Sequence, residues 1–91
     1  MRRLIWSPCA RDDLIEIQTY IATEKPAAAR RMFIDLVSVT QSLLDFPDRG
    51  HPIARGRREI TVIRPWLTRH VVVGEEVRIL SIRHGARRPI G

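Results

Sequence analysis

Cysteine is nearly absent from this chain: Cys9 stands alone among 91 residues. One thiol cannot close an internal disulfide, and no cysteine or histidine lies at metal-ligand spacing from it. A disulfide scaffold and a zinc module are therefore excluded, no metal or cofactor is called for, and Cys9 is expected to pack as an inert small apolar residue. Lysine is almost missing as well, since Lys25 is the single lysine among 16 basic residues. Tyrosine occurs once, as Tyr20. No apolar run approaches the roughly 20 residues that span a bilayer, and the start lacks the roughly 7–15 residue apolar core of a secretory signal. A cytoplasmic protein without membrane contact is expected. Internal repeats and low-complexity tracts are also lacking.

What is present is an ordinary globular composition, 44% hydrophobic and 29% charged. A chain this short buries only about 60–65% of its unfolded surface and cannot divide its core, so residues 1–91 should form one domain. The formal charge of +6 is unevenly placed. Met1 to Phe46 balances six basic residues against six acids, whereas Pro47 to Gly91 sets ten arginines against Asp48, Glu59, Glu75 and Glu76. Arginine's planar fork pairs bidentately with carboxylate or phosphate and keeps its charge at any working pH. An arginine-rich half thus suits an acidic protein segment or nucleic acid, against the plainer reading of a solvated basic surface.

Along the chain, Met1 to Trp6 alternates weakly as a strand, with Leu4 and Trp6 on one face. Ser7-Pro8 then supplies an N-cap and a proline at the first helical position. Ala10, Leu14, Ile17 and Ile21 make one apolar stripe, which Ile15 and Tyr20 should widen. Pro26 opens a second helix, whose stripe is Met32, Leu36, Val39, Leu43 and Phe46, broadened by Ala29 and Phe33; it should end by Phe46 because Pro47 follows. So short a connection forces an antiparallel hairpin with both stripes on a common layer. Pro47 to Arg57 reads as a basic loop. Glu59–Ile63, Leu67–Val73 and Val77–Ile82 read as strands of an antiparallel meander. A two-residue turn at Gly74-Glu75 would set Val72 opposite Val77, His70 opposite Ile79 and Thr68 opposite Ser81, leaving Val71, Val73, Leu80 and Ile82 on the other face; a bulged turn would change that register. Trp6 and Trp66 read as core or rim aromatics. The expected fold is α+β: an N-terminal strand and a helical hairpin packed on an antiparallel sheet, in the order β-α-α-β-β-β.

The Ser-Pro helix start with Ala10, Asp13 and Leu14, Phe46-Pro47 followed by Gly50 and Pro52, the opening Arg58-Glu59-Ile60, and Val77 to Arg87 with Ile82-Arg83-His84-Gly85-Ala86-Arg87 together resemble the RelE/ParE superfamily of bacterial toxins. The resemblance covers nearly the whole chain and implies the toxin of a type II toxin–antitoxin system. It also implies a partner, an acidic ParD-like antitoxin that wraps and neutralises it, and a higher-order toxin–antitoxin assembly.

Two activities divide the superfamily. RelE-like toxins cut messenger RNA on the ribosome and need an acid, a base and cations over the phosphate. A set for that chemistry can be assembled here from His84, His70, Arg58, Arg83 and Arg87. Yet the segment after His84 carries no tyrosine and no carboxylate, which favours the ParE side, whose His-Gly-Ala-Arg ending is similar and which is associated with poisoning of DNA gyrase. On that reading there are no catalytic residues, and Arg58, Arg83, His84, Arg87 and Arg88 contact the target or the antitoxin. His51 reads as a surface residue, and His70, amid Val71 to Val73, as a packed sheet residue. A plain nucleic-acid-binding module is the third possibility, but no exposed aromatic pair on adjacent strands supports it.

Overall fold

In the computed structural model, residues 2–61 and 65–85 are described. Strand β1 (Arg3–Trp6) leads into helix α1 (Pro8–Ala22), and α2 (Pro26–Ser42) returns beside it. Four further strands follow: β2 (His51–Pro52), β3 (Arg58–Ile60), β4 (Trp66–Val73) and β5 (Glu76–His84), with a 3-10 turn at Ala54–Gly56. Among the described residues they form one five-stranded sheet in the order β1-β5-β4-β3-β2. The α+β architecture is the expected one, with one change to its sheet. β1 runs parallel to β5 while the remaining neighbours are antiparallel, so the sheet is mixed. The helical hairpin followed by β2, β3 and β4 makes the long connection that the parallel pair requires.

Both helices start where the sequence places them. Ser7 caps α1, its side chain accepting from the Ala10 N–H at 3.0 Å, and Pro26 occupies the first turn of α2. α2 closes at Ser42, within the expected bound, but Phe46, assigned to its apolar stripe, lies beyond it and is exposed. Thr40 and Ser42 donate their hydroxyls to the carbonyls of Val37 and Val39, and Leu43 and Leu44 make tightened backbone bonds to Thr40 and Gln41. Such local side-chain bonds compete with the helical ladder, and the last turn winds up before Pro47 is reached.

The core lies between the hairpin and one face of the sheet. Ala10, Leu43, Ile60, Val77 and Ile79 form one buried cluster, Leu14, Ile17, Met32, Leu36 and Ile82 the other, and Trp6 packs against both. Trp66 is half-buried against the second, so both tryptophans take the expected core or rim positions. Burying a side chain such as Leu36 stabilises the fold by about 1.5–3 kcal/mol. Ile15 and Tyr20 do not widen the stripe of α1; both are exposed. Cys9 is exposed too, contrary to the packing expected of it, with its thiol 3.9 Å from Asp13 Oδ2.

The β4–β5 register follows the expected pairs Val72↔Val77 and His70↔Ile79, then departs from them. A bulge lets Thr68 face Ile82 rather than Ser81. Leu80 is the additional residue, so Ile82 turns into the core instead of lying on the open face. Pro47 to Arg57 is also more ordered than a plain loop, because His51 and Pro52 pair with Glu59 and Arg58. Gly50 makes this possible. Its φ is +86°, and a Cβ there would come within 2.5 Å of the Glu59 carbonyl oxygen and 2.7 Å of Ile60 Cγ1.

Candidate functional site, a cleft between helix 1 and the end of strand 5

β5 is flanked unequally. β4 follows it as far as His84, but β1 pairs only with Glu76 to Ile79. Beyond that point the start of α1 covers the edge. The Ser7 hydroxyl donates to the Leu80 carbonyl at 3.0 Å, and Asp13 Oδ2 accepts from the Ile82 backbone N–H at 2.9 Å. These bonds satisfy strand groups that would otherwise be orphaned, and they fasten the first half of α1 to the strand.

Among the described residues the second half of α1 makes no such hydrogen bond to the strand, and a cleft of about 430 Å³ opens between it and the end of the sheet. Asp13, Glu16, Ile17 and Tyr20 line the helical wall, while Trp66, Ile82, Arg83 and His84 line the other. Trp66 and His84 are cross-strand partners whose rings meet edge to face, with centroids 5.0 Å apart at 88°. Such a pair fixes the imidazole and contributes about 0.5–1.5 kcal/mol. Tyr20, 72% exposed, stands at the opening.

The residues singled out in the sequence divide between two places. Arg83 and His84 share the cleft. Arg58 does not join them: its Nη1 donates to the carbonyls of Asp48 at 2.9 Å and Gly50 at 3.2 Å, holding the turn that precedes β2. His70 lies opposite Arg58 on β4, is 1% exposed, and reaches the Pro47 carbonyl from Nε2 at 2.9 Å. A carbonyl only accepts, so Nε2 must carry the proton, and Nδ1 is buried without a partner among the described residues. His70 and His84 do not meet, because four residues of strand separate their β4 positions, about 13 Å at the rise of a β-strand. Arg87 and Arg88 lie outside the described residues. His51 is exposed, as expected, 3.7 Å from Glu59.

The open face of the sheet carries arginine around two acids. Glu59 is bonded to Arg69 at 2.7 Å, and Glu76 to Arg3 at 3.1 Å and Arg78 at 2.8 Å. Among the described residues, no group of three or more His, Cys, Asp or Glu could hold a metal ion, and no helix is long and apolar enough to cross a membrane.

Asp13, Glu16 and Tyr20 were not among the site residues read from the sequence. Their spacing is the signal that could have found them, since offsets of three and seven place them on one flank of α1 beside the apolar stripe.

Two helices packed on one side of a small mixed sheet is the architecture of RelE/ParE-like proteins, and comparison with known proteins identifies the family. The family described as ParE toxin of the type II toxin–antitoxin system parDE matches residues 4–89. Toxin RelE2 of Caulobacter vibrioides is 37% identical over 87 residues, covering 96% of this chain and 99% of the relative. A structure from the chromosomal ParDE TA system of P. aeruginosa superposes with a TM-score of 0.81 at 28% identity, over 92% of this chain and 96% of that one. A conserved hypothetical protein from Helicobacter pylori shares the fold, with a TM-score of 0.52 at 10% identity over 96% of this chain and 98% of its own. The chain belongs to the ParE toxin family. It is the toxin of a type II toxin–antitoxin system, and a cognate antitoxin is its partner.

Proposed function

We propose that this toxin arrests growth by binding DNA gyrase and poisoning it, with no bond made or broken by its own side chains, and that an acidic ParD-like antitoxin neutralises it. The observation that carries this reading is the division of the nuclease set. His70 and Arg58 are engaged in holding the Pro47–Pro52 segment, so His84 and Arg83 are left without them. Besides Arg83, the charged groups that share the cleft with His84 among the described residues are Asp13 and Glu16, whose charge has the wrong sign for an RNA phosphodiester. Arg83, exposed at the cleft rim, and His84 inside it are the contacts assigned to target or antitoxin, together with Arg58, Arg87 and Arg88. Gyrase places the toxin in the cytoplasm. Higher-order assembly with the antitoxin follows the same proposal.

Purified toxin added to gyrase should inhibit supercoiling and accumulate cleaved DNA. Absence of both effects at saturating toxin would overturn the proposal. The second reading is a RelE-like, ribosome-dependent messenger RNA endoribonuclease. It is favoured by the name of the 37% identical relative, toxin RelE2, and by the adjacency of Arg83 and His84. Its signature is message cleavage on ribosomes that disappears in His84→Ala.

A further inference from the structure

We propose that the cleft between α1 and the end of β5 receives a basic side chain, arginine or lysine, from a protein partner. The inference does not depend on whether gyrase or the ribosome is the target. Its first support is the sign of the charge. The chain is basic, yet among the described residues the helical wall of the cleft carries two carboxylates, Asp13 and Glu16, and the opposite rim one arginine, Arg83.

Next comes the state of those carboxylates. Asp13 has one oxygen on the Ile82 N–H, which fixes the orientation of the group, and Glu16 has no hydrogen-bond or ion-pair partner among the described residues. The walls are the third support. Tyr20 and Trp66 line the two sides of the cleft, and a guanidinium or ammonium that meets an aromatic face gains from the ring quadrupole while its N–H groups reach carboxylates. A volume near 430 Å³ admits one long side chain and part of its backbone. A phosphate-bearing ligand fits the same walls less well, because it would meet both carboxylates.

The test uses isotopically labelled toxin and three probes: the capped tripeptide Gly-Arg-Gly, its Gly-Glu-Gly counterpart, and adenosine monophosphate. The arginine peptide should produce saturable NMR shifts at the Ile82 amide and the Trp66 indole, and the other two should not. Glu16→Gln and Tyr20→Ala, both at exposed positions where substitution leaves the fold intact, should each weaken that binding about threefold to fivefold. The inference is overturned by unchanged affinity in both variants, by equal or tighter binding of the glutamate peptide or the nucleotide at the same resonances, or by no saturable shift up to about 10 mM arginine peptide.

Discussion

Replacing Asp13 by alanine should destabilise the toxin more than an ordinary helix-surface substitution. The carboxylate accepts from the Ile82 N–H at 2.9 Å, and Ile82 is 3% exposed, so no solvent replaces the lost acceptor easily. A hydrogen bond to a charged group is worth about 1.5–3 kcal/mol, and an orphaned buried N–H costs a similar amount. Asp13 is itself half-buried and regains some hydration in the unfolded chain, which puts the expected loss near 2 kcal/mol. At about 4–8 °C per kcal/mol for a domain of this size, the thermal midpoint should fall by about 8–16 °C. Asp13→Asn keeps an acceptor oxygen without the charge and should lose about half as much. Urea denaturation followed by tryptophan fluorescence measures the free energy, and amide exchange at Ile82 locates it. If Asp13→Ala stays within about 0.5 kcal/mol of the parent, the range of ordinary surface substitutions, α1 is not fastened to β5 in this way.

The two histidines should separate stability from function. His70→Ala empties a buried site and releases Pro47, at a cost of about 2–4 kcal/mol, whereas His84→Ala should cost about 1 kcal/mol while weakening target or antitoxin binding; denaturation and binding titrations distinguish them. Gly50→Ala should cost about 2 kcal/mol or more, because φ is +86° and the new methyl meets backbone at 2.5 Å; a denaturation midpoint equal to the parent's would contradict this. Arg83→Glu should leave stability within about 0.5 kcal/mol, since the side chain is exposed and unpaired among the described residues, yet should impair gyrase inhibition. Arg87→Glu should weaken antitoxin affinity, as a titration would show.

The helix starts were legible because Ser7, Pro8 and Pro26 act locally, through a cap and a fixed backbone angle, and need no knowledge of what lies across the molecule. The first half of the β4–β5 hairpin was legible for the same reason, as Gly74 sets the turn. The bulge at Leu80 had no such signal. Neither glycine nor proline marks it, and it is favoured by the result that Ile79 and Ile82 both reach the core. Strand β2 escaped notice because two residues, one of them proline, show no periodicity. The cleft was half legible. Arg83 and His84 stand out by type, but Asp13 acts on a residue 69 positions away, and Tyr20 lies at the edge of an apolar stripe that the sheet does not extend far enough to cover. Phe46 misled in the opposite direction, since a helix that closes at Ser42 no longer carries it to the core.

Gyrase supercoiling and DNA cleavage, measured with purified toxin and with its Arg83→Glu and His84→Ala variants beside a ribosome-dependent message-cleavage assay, tests the central proposal most directly. The expected result is inhibition and trapped cleaved DNA with the parent, weakened in the variants, and intact message throughout. Intact supercoiling together with message cleavage that His84→Ala abolishes would contradict it.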